Sequence, residues 1–85
     1  MTQLEVKQKL VEAYIKDVET EGTEEPTNYC EDLFHAISKL YVHGLITGKF
    51  YYAINNFYYG AEISEWAYEK RPDLFVRLSA KNKEA

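Results

Sequence analysis

The sequence predicts a small all-α bundle of three to four helices in one domain, and three observations lead to this expectation. The chain has 85 residues, which is enough for one domain only. Its apolar residues recur at helical spacing in several segments, and residues that start or stop helices separate those segments. The expected helices span residues 3–20, 28–43, 48–70 and 72–79, followed by a frayed tail over residues 79–85.

The first helix, residues 3–20, starts and ends at clear local signals. Thr2 precedes it and Glu5 follows three residues later, which is the arrangement of a capping box. Gly22 is the residue type that most often follows a helix C-terminus, so it predicts the end of this helix. The apolar face expected to enter the core consists of Leu4, Leu10, Val11, Tyr14, Ile15 and Val18.

The second helix, residues 28–43, follows the polar acidic loop that ends at Pro26. Thr27 or Asn28 is the expected N-cap, because both side chains can accept a hydrogen bond from the first turn. Gly44 marks the end of the helix. The apolar face consists of Cys30, Leu33, Phe34, Ile37, Leu40 and Tyr41.

The third segment, residues 48–70, begins after the N-cap candidate Thr47 and is strongly aromatic, since six of its residues from Phe50 to Tyr59 are Phe or Tyr. A β-hairpin that turns at Asn55–Asn56 competes with a helix here, because Tyr and Phe favour strands. We expect a helix because residues 61–70 continue the same phase, and Gly60 is the point at which it could break. Pro72 limits this helix and starts the short one predicted over residues 72–79.

Charge and composition narrow the classes of function. Fourteen acidic and ten basic residues give a net charge of −4, which disfavours binding to nucleic acid or to an anionic membrane. No segment has the length and hydropathy of a membrane span, and the N-terminus lacks the pattern of a signal peptide. With a single cysteine as well, these features favour a reducing, cytoplasmic location.

The sequence offers no constellation of catalytic or metal-binding residues. Cys30 and His35 lie five positions apart, so their side chains point about 140° apart on one helix and do not meet. His43 and the acidic residues supply no set of ligands with metal-site spacing. We therefore expect a protein that is not an enzyme and needs neither metal nor cofactor.

The most informative pattern is a second apolar face on the third segment. One face carries Phe50, Ile54 and Phe57 and is expected to point into the core. The opposite face repeats at heptad spacing, so it either packs inside a monomeric bundle or binds a partner. We expect a partner, because Tyr and Trp are enriched at interface hot spots. The residues of this predicted seam are Tyr52, Asn56, Tyr59, Ile63 and Trp66.

Acidic residues near the first loop suggest what the partner is like. From Asp17 to Asp32 the chain carries acidic residues and no Lys or Arg, and Glu21, Glu24 and Glu25 are expected to favour a basic partner surface. The sequence thus predicts an acidic interaction or regulatory module, of the kind seen in inhibitors, antitoxins and immunity proteins, that self-associates as a homodimer. The alternative is a helix-turn-helix regulator that reads DNA with the helix starting at Thr47.

Overall fold

Residues 1–75 form an all-α bundle in the computed structural model, which describes that part of the chain, and the predicted fold class is confirmed. The described residues contain no strand, so the competing hairpin at Asn55–Asn56 is wrong. A further helical stretch begins at Pro72, and the rest of the predicted 72–79 helix and the 79–85 tail lie outside the described residues. The helices are α1 (Gln3–Thr20), α2 (Tyr29–Val42), α3 (Gly48–Tyr59) and α4 (Glu62–Lys70).

Local signals place most of the helix ends. Thr2 and Glu5 form the predicted capping box, each donating its backbone N–H to the other's side-chain oxygen at 3.1 Å. Thr47 caps α3 by accepting a hydrogen bond from the Phe50 N–H at 3.1 Å. Gly22 and Gly44 follow α1 and α2 with φ angles of 80° and 72°, in the left-handed region that favours glycine.

The predicted single helix over residues 48–70 is wrong, because the chain breaks at Gly60 into α3 and α4. The backbone at Gly60 is extended, with φ −91° and ψ −173°. A Cβ at this position would lie 2.6 Å from the carbonyl oxygen of Asn56, so only glycine fits without a shift. The buried residues of α4, Ile63 and Ala67, are therefore not in helical phase with Ile54 and Phe57 of α3.

The core lies where α1 and α3 meet, since each of these helices packs against the other three. The buried residues of α1 are Val6, Leu10, Val11 and Ile15. Leu4 was expected among them but is 55% exposed, whereas Val6, in the same first turn, is 3% exposed and packs in the core. The remaining buried side chains are Cys30, Phe34, Ile37, Ile54, Phe57, Ile63, Ala67 and Leu74.

Candidate functional site

The structure divides the predicted heptad seam into an exposed part and a buried part. Tyr52 and Tyr59 are 56% and 72% exposed, and Asn56 between them is exposed as well. Ile63, by contrast, is buried, and the Trp66 ring packs on Phe57 with centroids 4.8 Å apart. The prediction of one continuous seam is therefore wrong, because the break at Gly60 turns the apolar face of α4 into the core. We define the tyrosine face as Tyr52, Asn56 and Tyr59.

An aromatic ladder between α2 and α3 holds the tyrosine face in place. Tyr51 stacks on Tyr41 with ring centroids 4.5 Å apart, and Tyr58 stacks on Phe34 with centroids 4.2 Å apart. The exposed tyrosines meet this ladder edge-on, Tyr52 against Tyr51 at 5.5 Å and Tyr59 against Tyr58 at 4.9 Å. Such pairs stabilise by about 0.5–1.5 kcal/mol beyond area burial, so they restrict the positions of both exposed rings.

Sequence reasoning missed the ladder, although a signal for it is present. The doublets Tyr51–Tyr52 and Tyr58–Tyr59 are seven residues apart, which places them at equivalent positions two turns along α3. In each doublet the first tyrosine packs on α2 and the second is exposed. A seven-residue repeat of two adjacent tyrosines therefore indicates one packed and one exposed row on the same helix.

Asp17 on α1 caps the start of α2 across the loop. One carboxylate oxygen accepts hydrogen bonds from the Thr27 hydroxyl at 2.6 Å and the Tyr29 N–H at 2.8 Å. The other oxygen accepts one from the Cys30 N–H at 2.9 Å. Asn28 occupies the N-cap position but makes no side-chain cap bond, so the prediction of a cap from Thr27 or Asn28 is corrected. Asp17 takes that role and ties the end of α1 to the start of α2.

An acidic groove of about 620 Å³ lies beside this junction, between the end of α1, the start of α2 and the end of α3. This volume is within the range of roughly 300–1,000 Å³ that is common for ligand sites. Among residues 1–75, the part of the chain that the structure describes, no Lys, Arg or His lines the groove. They include three carboxylates and three tyrosines, which are Asp17, Glu21, Glu31, Tyr14, Tyr58 and Tyr59.

The electrostatics of the groove disfavour further negative charge. Burial raises the pKa of Tyr58, and the neighbouring Cys30, Glu31, Tyr59 and Asp17 raise it further. The pKa of Tyr14 is likewise raised by burial, and then by the charges of its neighbours. An anion in the groove would meet the same repulsion as a tyrosinate, whereas a cation would be attracted.

The structure brings three predicted site residues, Glu21, Tyr59 and Ile63, to the same groove, although Ile63 is only 5% exposed there. Glu24 and Glu25 are exposed in the loop after α1 and do not line it. Their contribution is therefore to the long-range negative field rather than to direct contacts in the groove.

The candidate catalytic pair does not come together. Cys30 is 6% exposed at the base of the groove, and its Sγ donates to the Leu10 carbonyl oxygen at 3.6 Å. Burial, with a further contribution from Asp17, raises the pKa of this thiol to about 11. His35 instead lies on the exposed side of α2, with Nε2 3.8 Å from Glu31 Oε1. A buried thiol with a raised pKa lacks the properties of an activated nucleophile.

Within residues 1–75, no three His, Cys, Asp or Glu side chains form a group that could hold a metal ion. None of the helices in that range combines the length and hydropathy needed to cross a membrane. No protein-family model matches the chain, and neither the curated proteins nor the solved structures that were searched yielded a match.

Proposed function

We propose that this chain is a non-enzymatic interaction module that binds a protein partner through the tyrosine face and the adjacent acidic groove. The observation that carries the proposal is Tyr59, which is 72% exposed yet held edge-on by Tyr58 at the rim of a groove lined by carboxylates. An exposed aromatic ring in a fixed orientation loses little conformational freedom when a partner covers it.

The chemistry of the groove supports binding rather than catalysis. Its one nucleophile, Cys30, is buried and has a pKa of about 11, so the thiol is neutral at physiological pH. The carboxylates and tyrosines are instead suited to a positively charged surface. A small acidic protein that covers a basic surface of its target is the general class that fits, as an inhibitor, antitoxin or immunity protein does; this comparison is an analogy of class.

The proposal is tested by comparing two exposed tyrosines in a capture experiment. Tagged wild-type protein, Tyr59→Ala and the control Tyr68→Ala are each used to capture proteins from host lysate, followed by quantitative mass spectrometry. Tyr68 is 50% exposed and lies on α4, so it matches Tyr59 in type and accessibility but not in location. We expect a protein that the wild type and Tyr68→Ala enrich and Tyr59→Ala does not. Equal enrichment by both folded variants would contradict the proposal.

Self-association through the same face is the second part of the proposal. Tyr52 and Tyr59 lie seven residues apart and both are exposed, so two copies of α3 can pair along this row. Light scattering after size-exclusion chromatography measures the mass directly. We expect twice the 10.0 kDa of one chain for the wild type and 10.0 kDa for a Tyr52→Ala, Tyr59→Ala double variant. A wild-type mass of 10.0 kDa across the accessible concentrations would leave only the heterologous partner.

The alternative function is a helix-turn-helix regulator, and the structure favours it less than the interaction module. Its one favourable observation is that a short turn joins α2 to α3, with Asn56 exposed on the helix that would enter the groove of DNA. Lys49 is the only Lys or Arg in α3, however, and phosphate contacts supply much of the affinity of duplex-binding domains. A salt-sensitive mobility shift of labelled duplex would favour this function over the first.

A further inference from the structure

We propose that the acidic groove binds an arginine side chain of the partner. This inference rests on the proposed function and deepens it, because it names the chemical group that the site recognises. Three features carry the argument: the charges of the groove, the orientation of its aromatic rings, and the way this chain already uses its own basic residues.

The charges of the groove come from different elements of the fold. Glu21 follows the end of α1, and Glu31 lies in the first turn of α2, so the two carboxylates approach the groove from different elements. Asp17 adds a third charge, but its oxygens already accept three hydrogen bonds at the start of α2. Glu31 Oε1 lies 3.8 Å from His35 Nε2 one turn along α2, and the Glu31 side chain is 58% exposed. Glu21 and Glu31 are therefore the carboxylates that can turn towards a cation in the groove.

The aromatic rings favour a planar cation. Tyr58 and Tyr59 meet at 83° with centroids 4.9 Å apart, so the groove is bordered by two nearly perpendicular rings. Phe34 stacks on Tyr58 with ring centroids 4.2 Å apart, and Tyr58 also lines the groove. A guanidinium group stacks on aromatic rings and binds carboxylates through two parallel hydrogen bonds, whereas an ammonium group offers only a point charge.

Arg71 and Lys7 pair with groups outside the groove. Arg71 donates to Glu19 at 2.8 Å and to Asp73 at 3.1 Å, and the Lys7 ammonium lies 5.4 Å from the centre of the Phe57 ring. Two residues beyond Glu19, Glu21 lines the groove, and none of the basic residues that the structure describes lines it. The pairing of Arg71 with Glu19 shows that this end of α1 already binds a guanidinium, and the groove offers the same carboxylate chemistry with aromatic rings added.

The inference is tested with a small arginine probe. N-acetyl-arginine methylamide is titrated to about 50 mM into the ¹⁵N-labelled protein, a range suited to millimolar dissociation constants, while amide shifts are followed by NMR. The neutral isostere N-acetyl-citrulline methylamide is the matched ligand control. Glu21→Gln and Glu31→Gln are compared with Glu12→Gln, which removes the same charge from an exposed position on α1 that does not line the groove.

We expect saturable shifts at residues 28–31 and 58–59 with the arginine probe and none with citrulline. Each groove substitution should weaken binding about two- to fivefold, the range for a partly exposed ion pair, while Glu12→Gln should leave it within about twofold. Equal shifts with citrulline, shifts on another face, or equal effects of all three substitutions would overturn the inference. If the arginine probe fails in this way but Tyr59→Ala still loses capture of the partner, the proposed function stands and only the arginine inference fails. The failure of one proposal is therefore distinguishable from the failure of the other.

Discussion

Removing the Asp17 carboxylate should destabilise the protein far more than removing any other acidic residue of the stretch from Asp17 to Asp32. Asp17→Ala deletes the acceptor of three hydrogen bonds, from the Thr27 hydroxyl and the Tyr29 and Cys30 N–H groups. A helix N-cap is worth about 0.5–2 kcal/mol, and Asp17 also fixes the loop through Thr27. We expect a loss of about 2–3 kcal/mol in the free energy of unfolding.

This loss is large for so small a domain. At roughly 0.05–0.15 kcal/mol per residue the whole chain has about 4–13 kcal/mol of stability, so the substitution would remove a substantial share of it. Because about 1 kcal/mol shifts the melting temperature of such a domain by roughly 4–8 °C, the expected decrease is about 10–20 °C. Asp17→Asn keeps one acceptor oxygen and should therefore cost less, about 1 kcal/mol.

Urea unfolding followed by far-ultraviolet circular dichroism measures these values. Asp32→Ala is the matched control, because Asp32 lies in the first turn of α2 and is exposed. It should cost no more than about 0.5 kcal/mol, the value typical of surface substitutions and helix-dipole effects. If Asp17→Ala and Asp32→Ala reduce stability equally and by less than about 0.5 kcal/mol, Asp17 does not cap α2 as described.

Three further predictions concern the core, the acidic loop and the thiol. Trp66→Ala should cost about 2–4 kcal/mol of unfolding free energy, because the Trp66 ring packs on Phe57 with centroids 4.8 Å apart. Tyr59→Ala should cost under about 1 kcal/mol. Equal costs of the two substitutions in urea titrations would contradict the division of the seam into an exposed and a buried part. Replacing Glu21, Glu24 and Glu25 together by Gln should leave stability within about 0.5 kcal/mol, and a larger change in the same assay would show a structural role. The Cys30 pKa is raised from 9.0 to about 11, so the unfolded state loses this proton first and the stability that the neutral thiol contributes is lost between about pH 9 and 11. Between about pH 9 and 11, the unfolding free energy of the wild type should therefore fall relative to that of Cys30→Ala. A difference between the two proteins that does not change with pH would contradict the raised pKa of Cys30.

The features that could be predicted from sequence are those set by neighbouring residues. The capping box at Thr2 and the cap at Thr47 each depend on two residues three positions apart in the chain. The helix ends at Gly22 and Gly44 depend only on the backbone angles that glycine itself allows. The all-α class followed from such signals. For the same reason the start of α2 was placed correctly, although the residue that caps it was not.

The features that were missed depend on residues brought together by folding. Asp17 lies 12 positions before Tyr29 in the chain, so its role as a cap becomes visible only once α1 and α2 pack. The effect of Gly60 depends on how close its backbone comes to the Asn56 carbonyl oxygen, which periodicity does not reveal. Because the seam was drawn across that break, Ile63 and Trp66 were assigned to a partner, although Ile63 is buried in the core and Trp66 is partly buried against it.

The paired rows of tyrosines on α3 have a consequence for how the protein can diverge. Tyr51 and Tyr58 stack on α2, while Tyr52 and Tyr59 are exposed and meet α2 only edge-on, Tyr52 at Tyr41 and Tyr59 at Phe34. Substitutions in the outer row can therefore change what the surface binds without using up the small stability margin of the domain. Under the proposed function, substitutions at the two outer positions, Tyr52 and Tyr59, would suffice to redirect recognition on an unchanged scaffold.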